Sequence, residues 1–207
     1  LYYQLPNGSL DIFCMHIDKG YLWIGTTTNG VYRLNIDKKE LEHPIRKGNI
    51  ISFYRDSGGE LWIGSWEEGL FHVKTNGKIE NFKYDAKNPH SLSSNFVRAC
   101  CEDNLGNIWI GTFNGLNRYN KSTGLFQNHT ANDIQSDGLT HSSIWCIVKD
   151  NQGTLWLGTY FGGVNYFNPE YEIYTRYSYS SNEKQGLSNP VVGLSLIHIS
   201  EPTRRRG

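Results

Sequence analysis

LWIGT at residues 22–26 returns as LWIGS (61–65), IWIGT (108–112) and LWLGT (155–159). The four tryptophans, Trp23, Trp62, Trp109 and Trp156, stand 39, 47 and 47 residues apart. A repeat of about 40–50 residues that holds several strand-like pieces is the mark of a propeller or a solenoid. Each copy sits in the same setting. A turn from Asp to Gly precedes it (Asp18/Gly20, Asp56/Gly59, Asp103/Gly106, Asp150/Gly153), and a Gly-aliphatic stretch follows (GVYRLN 30–35, GLFHVK 69–74, GLNRYN 115–120, GVNYFN 163–168).

Working outward from the motif, each unit reads as four short strands joined by Gly, Asn and Asp turns, the pattern of propeller blades. The blades are expected at about 10–45, 48–84, 94–129 and 142–177, with a cut strand at 1–5 and a fifth unit opening at SNPVVG (188–193). The fold class is therefore all-β: a partial β-propeller of four four-stranded blades plus parts of two more, not closed. The first strand of a unit is apolar on both alternating faces, as a strand buried on both sides should be. In the fourth unit this alternation places Ile144 with Cys146 on one face and Trp145 with Ile147 on the other. The structural repeat motif is Trp23/Gly25, Trp62/Gly64, Trp109/Gly111 and Trp156/Gly158. The tryptophans are read as core, and the glycines as room for a neighbouring blade.

Composition narrows the function. The 207 residues carry 20 basic and 20 acidic side chains, so no basic footprint points to nucleic acid. No apolar run reaches the roughly 18 residues of a membrane helix. Cys14, Cys100, Cys101 and Cys146 form no CxxC pair, and no His stands at ligand spacing from them, so no metal and no cofactor is expected. Cys14, Ser52, Ala99 and Cys146 each fall four residues before a turn Asp, a recurring small residue that reads as packing. Calcium takes several oxygens from one short loop. Each turn here offers one carboxylate, or two at Glu102–Asp103, so the aspartates read as Asx-type turns.

The run D-x-x-G-x-[LI]-W-[IL]-G-[TS]-x-x-x-G-[LV], followed by an aromatic-rich strand and then SLSSN or GLSN, resembles the two-component regulator propeller repeat. It spans about residues 10–193, with a turn one residue shorter at Asp18–Gly20 and one residue fewer between Thr112 and Gly115. The resemblance implies the periplasmic sensor region of a hybrid two-component histidine kinase of the kind abundant in gut Bacteroidetes, sensing glycan fragments. It implies a small-molecule or oligosaccharide ligand, a membrane connection only through downstream segments, and a homodimer for the full-length protein. It also implies no enzymatic activity in this stretch, with the histidine kinase downstream. Two other readings remain open: a non-signalling scaffold that binds proteins, and a propeller enzyme similar to streptogramin lyases. The lyase repeats tend to read W-[FY]-T-[ED], against W-[IL]-G-[TS] here, and no paired carboxylates or Ser/His/Asp order stand out.

Residues 194–207 do not fit the repeat. Where the next turn Asp, Gly and Trp should fall, the chain has His198, Glu201 and Arg204. The segment LSLIHISEPTR (194–204) resembles the translation of a transposase adapter used in shotgun sequencing libraries, and is expected to be non-native. Its three arginines against one glutamate leave the remainder of the chain at −2.

The linkers into the third, fourth and fifth units (85–95, 130–143 and 178–189) are long, whereas the turns between first and second strands are tight. Length variation on one face of a repeat protein marks its binding face. On that face Trp66, Phe113 and Tyr160 stand two residues after the motif Gly, with Glu67 and Asn114 beside them. These five are the candidate ligand-binding residues: rings to stack on sugars and polar groups to bond their hydroxyls. The alternative is that the rings pack on the adjacent blade and fix its angle.

Overall fold

The computed structural model describes residues 11–131, 138–171, 173–177, 187, 189 and 191–192. The expected strand at 1–5, the 194–207 tail and most of 178–189 lie outside them. Among the described residues there is no helix, and sixteen strands form four antiparallel meanders of four. The first blade is β1 (Ile12–Asp18), β2 (Tyr21–Thr26), β3 (Val31–Asn35) and β4 (Leu41–Ile45). The second is β5 (Ile50–Arg55), β6 (Leu61–Ser65), β7 (Leu70–Val73) and β8 (Ile79–Phe82). The third is β9 (Val97–Glu102), β10 (Ile108–Thr112), β11 (Gly115–Asn120) and β12 (Leu125–His129). The fourth is β13 (Ile144–Lys149), β14 (Leu155–Thr159), β15 (Val164–Asn168) and β16 (Ile173–Tyr177). The inner strands touch in the order β1, β5, β9, β13, and the described blades form an open arc rather than a closed ring. The outer β16 alternates exposed and half-buried residues, as an edge should. On β1, which no described blade precedes, Ile17 is 70% exposed.

The motif residues each have a mechanical role. In blades two to four the turn Asp uses both oxygens. Oδ1 of Asp56, Asp103 and Asp150 accepts the backbone N–H of Glu60, Asn107 and Thr154 at 2.8, 2.9 and 3.0 Å. Oδ2 accepts the indole N–H of Trp62, Trp109 and Trp156 at 2.8, 2.8 and 3.0 Å. The turn and the core tryptophan are thereby tied by one side chain, in the Asx-type arrangement. The first blade departs from this. Its turn is only Lys19–Gly20, both at positive φ (46° and 79°) as a two-residue hairpin requires, and Asp18 pairs with Arg55 of the second blade instead.

The Ser/Thr closing the motif fixes the loop between second and third strands. Thr26, Ser65, Thr112 and Thr159 are fully buried, and their hydroxyls donate to the carbonyls of Gly30, Gly69, Gly115 and Gly163 at 2.8–2.9 Å. That loop in turn bonds the linker entering the following blade: Gly30 N to Gly48 O, Gly69 N to Asn95 O, Gly115 N to Ser142 O. Both loop sets therefore lie on one face, as the loop lengths had suggested.

Blades interlock through two repeated contacts. Cys14, Ser52, Ala99 and Cys146 pair directly across the ladder with Gly25, Gly64, Gly111 and Gly158. The small residue and the glycine together leave a notch, and the following blade fills it with Ile50, Val97, Ile144 and Val192 respectively. Val192 thus occupies the place of a fifth inner strand. Second, Trp62 and Trp109 pack on the third strand of the next blade. Trp62 meets Tyr119 edge-on at 5.3 Å, and Trp109 meets Phe167 at 4.8 Å. Trp156 has no such neighbour among the described residues and is half-buried, where Trp23, Trp62 and Trp109 are buried.

Every inner strand carries a register shift near its start, between Ile12 and Cys14, Ile50 and Ser52, Val97 and Ala99, and Ile144 and Cys146. A β-bulge inserts one residue and re-aims the side chains around it. This corrects the expected face assignment in β13. Ile144 and Ile147, not Ile144 and Cys146, face Gly111 of the preceding blade, while Cys146 lies against Gly158 on the other side.

The notch makes a test. A Cβ built on Gly111 would sit 2.7 Å from Ile144 Cγ2 and 3.1 Å from its Cβ, and the Cβ is an atom that no rotamer change removes. Gly111→Ala is expected to destabilise the protein by about 1–3 kcal/mol, the usual cost of overpacking. Combined with Ile144→Ala the same change should be nearly neutral, a coupling that a double-mutant cycle in denaturant measures directly.

Candidate functional site

The bulged residues, one per blade, are Phe13, Ile51, Arg98 and Trp145, and all four line a cleft of about 730 Å3 on the concave side of the inner strands. Strand alternation would spread a strand's side chains over its two sheet faces. The extra residue instead turns one large side chain per blade toward the propeller axis. Arg98 carries the one formal charge among the described lining residues, and the walls between the bulged positions include Ser52, Ala99 and Ile147.

Arg98 packs on two indoles. Its Cζ stands 4.4 Å from the Trp66 ring centroid and 3.8 Å from that of Trp145. Trp145 stacks in turn on Tyr160, with centroids 5.1 Å apart and planes at 11°, and Tyr160 meets Phe161 edge-on at 4.2 Å. A guanidinium over an indole is attracted by the ring quadrupole, worth about 0.5–2 kcal/mol per contact. Trp66, Arg98 and Trp145 line the cleft, and Tyr160 extends the chain of ring contacts behind Trp145, so the four come from the second, third and fourth blades. Burial pulls the Arg98 guanidinium below the usual arginine value, with Tyr160 acting in the opposite direction. It stays charged, since arginine is not deprotonated in proteins.

Four residues that line this cleft each hold a buried polar atom without a hydrogen-bond partner: Arg98 Nε, Trp145 Nε1, Asn49 Oδ1 and Ser52 Oγ. Buried polar groups are normally satisfied, so these atoms stand out beside the cleft. The thiols nearby do not add nucleophilic chemistry. Burial raises the pKa of Cys100 and Cys146, and pushes that of Cys14 up to about 12, so the thiolate is suppressed.

The five candidates from the sequence fall in different places. Trp66 lines the cleft and is half-buried, with Phe96 packed edge-on against it at 5.5 Å. Tyr160 is half-buried behind Trp145. Phe113 is 53% exposed and reaches the stack only through Phe96, at 6.0 Å. Glu67 and Asn114 are exposed and do not line the cleft, and Asn114 donates to Ser93 O at 3.4 Å in its own linker. Trp66 thus packs on the adjacent blade and faces the cleft at once. Sequence reading missed Arg98, Trp145, Asn49 and Ser52. One signal was available: positions 13, 51, 98 and 145 stand beside a column that is always small, yet hold Phe, Ile, Arg and Trp.

Residues 44–67, 91–114 and 138–161 match the family model described as two component regulator propeller. Each window runs from a linker, through an inner strand and the Trp motif, into the loop that carries Trp66, Phe113 or Tyr160. No curated protein matches the chain. Among solved structures, the chain is similar to the extracellular domain of BT4673 from B. thetaiotaomicron, assigned to a hybrid two component system. The identity is 23% over 92% of this chain and 25% of that one, with a TM-score of 0.66. It is also similar to virginiamycin B lyase from Staphylococcus aureus (13% identity, 83% and 57% covered, TM-score 0.64). A third likeness is to PorZ, a surface component of the type-IX secretion system of Porphyromonas gingivalis (11%, 85% and 29%, TM-score 0.62). These structural likenesses show a shared propeller architecture. The chain spans about a quarter of the length of the BT4673 domain.

Proposed function

We infer, from a chain built of two component regulator propeller repeats, that it is part of the extracytoplasmic, periplasmic sensor region of a hybrid two-component histidine kinase. In this reading it binds a glycan fragment at the axial cleft and performs no chemistry on it. The observation that carries the proposal is a cleft walled by Trp66, Arg98 and Trp145, with Tyr160 stacked behind Trp145. Aromatic walls with a few placed polar groups suit a sugar, which offers apolar ring faces and a fringe of hydroxyls. The lyase-like fold supports the enzyme reading by architecture alone, and architecture does not carry function.

The test is a thermal-shift and calorimetric screen of the intact sensor domain against oligosaccharides. A ligand at about 100 times its Kd adds roughly 2.7 kcal/mol of stability, a clear rise in Tm. One class of oligosaccharide is expected to give that rise, and Trp66→Ala or Tyr160→Ala is expected to weaken it about tenfold or more while the unliganded protein still melts cooperatively. Absence of any binding, or binding indifferent to both substitutions, rejects the assignment of the site. The uninterrupted gene separates the remaining readings: a kinase-coding region downstream supports the sensor, and its absence supports the scaffold.

A further inference from the structure

We propose that the axial cleft takes an acidic sugar, one bearing a carboxylate or a sulfate ester, with Arg98 as the partner of the anion. The proposal rests on the binding reading above and specifies the ligand class. The guanidinium carbon lies over two indoles, at 4.4 and 3.8 Å, and Arg98 lines the cleft. The guanidinium carries its N–H donors in one plane, the geometry that matches two oxygens of a carboxylate or sulfate. Among the described residues Arg98 has no carboxylate partner, and its Nε–H is buried and unbonded. Several other basic side chains near blade interfaces are paired with carboxylates elsewhere: Arg55 with Asp18, Lys47 and Lys83 with Glu68, Lys121 with Asp56 and Glu102.

Energetics favour the anion over a neutral sugar. Arg98 is already partly withdrawn from water, and any ligand that fills the cleft withdraws it further. A buried charge is costly unless paired. A neutral oligosaccharide adds that cost and offers only dipoles in return, whereas an acidic one supplies the countercharge. The Trp145 indole N–H is a second unbonded donor beside the guanidinium. Asn49, whose Oδ1 has no partner, lines the cleft on the second blade.

The experiment is calorimetric titration of the intact sensor domain with trigalacturonate and a sulfated chondroitin disaccharide, against neutral maltotriose and xylotriose. Wild type is compared with Arg98→Gln and Arg98→Lys, each checked for a cooperative melt. At least one acidic probe is expected to bind, with affinity falling as salt rises, and Arg98→Gln should weaken it about tenfold or more. Arg98→Lys should recover part of the loss, since it restores charge without the planar fork. Binding of neutral probes alone overturns this proposal and leaves the glycan-sensor reading standing. Acidic binding that is unchanged in Arg98→Gln overturns the assignment of Arg98. Failure of all four probes counts against both.

Discussion

Trp109→Ala is expected to destabilise the propeller by about 3–5 kcal/mol, the range for removing a large buried aromatic. Trp109 is fully buried, packs edge-on against Phe167 of the fourth blade at 4.8 Å, and lies 5.4 Å from the His129 ring. Its removal opens a cavity at the seam between the third and fourth blades, where neither sheet can collapse without losing its own ladder. It also strips Asp103 Oδ2 of the indole donor at 2.8 Å, leaving that buried oxygen with the Asn107 amide. Trp109→Phe separates the two effects, because it keeps most of the ring and loses only the N–H, and should cost about 1–2 kcal/mol. Denaturant unfolding of the intact sensor domain measures both. A loss under 1 kcal/mol for Trp109→Ala would show that the seam repacks and that the tryptophan is not what joins the blades.

Asp56→Ala is expected to cost about 3 kcal/mol, several times more than Asp150→Ala at the matching position. Asp56 is buried, and Oδ2 accepts from the Trp62 indole and from Lys121 of the third blade, both at 2.8 Å. Lys121 also reaches Glu102 Oε1 at 3.1 Å, and Glu102 Oε2 accepts from Ser57 N at 2.7 Å, so the network returns to the second blade. Breaking a buried pair leaves the remaining charge uncompensated, typically about 3–5 kcal/mol. The lower end applies because Lys121 is partly solvated and keeps Glu102. Among the described residues Asp150 binds its indole and its own turn, with no lysine partner, so its loss should cost much less.

The clamp also sets a pH dependence. Burial pushes the Asp56 carboxyl up, but Lys121, Trp62 and the Glu60 amide together hold it below its usual value. Glu102 is likewise pushed up by burial and brought below its usual value by Ser57 and Lys121. For a group depressed on folding, the stabilisation is complete above the unfolded pKa, about 4 here, and is lost as pH falls through the folded value. Lys121 is lowered by burial but raised overall by Asp56 and Glu102, so its share is complete below about 10.4 and is lost as pH rises through its folded value. The fall in Tm between pH 6 and pH 3 should therefore be smaller in Asp56→Ala than in wild type. Equal falls would show that the clamp carries no linked protons.

The four copies of the Trp-Gly motif were enough to read an all-β repeat of four-stranded blades, their order, and a face rich in linker loops. That much is local. Strand period, turn residues and a recurring tetrapeptide are written within about 40 residues, and each blade's ladder pairs only neighbours in sequence. Trp66 and Tyr160 were legible for the same reason, as aromatic residues at one repeat position. The small residue at 14, 52, 99 and 146 was legible as packing, yet what it packs against was not. It lies opposite a glycine, and the filler is a residue of the next blade. Tertiary structure alone decided the bulges, and with them which side chain of each inner strand turns to the axis. A bulge adds one residue to one strand, so period-two alternation misassigns the faces on one side of it, as it did for Cys146 and Ile147. The cleft follows from those bulges. Asn49, Arg98 and Trp145 are far apart in sequence and meet only because successive blades rotate about a common axis, so their joint chemistry exists only once the blades have stacked.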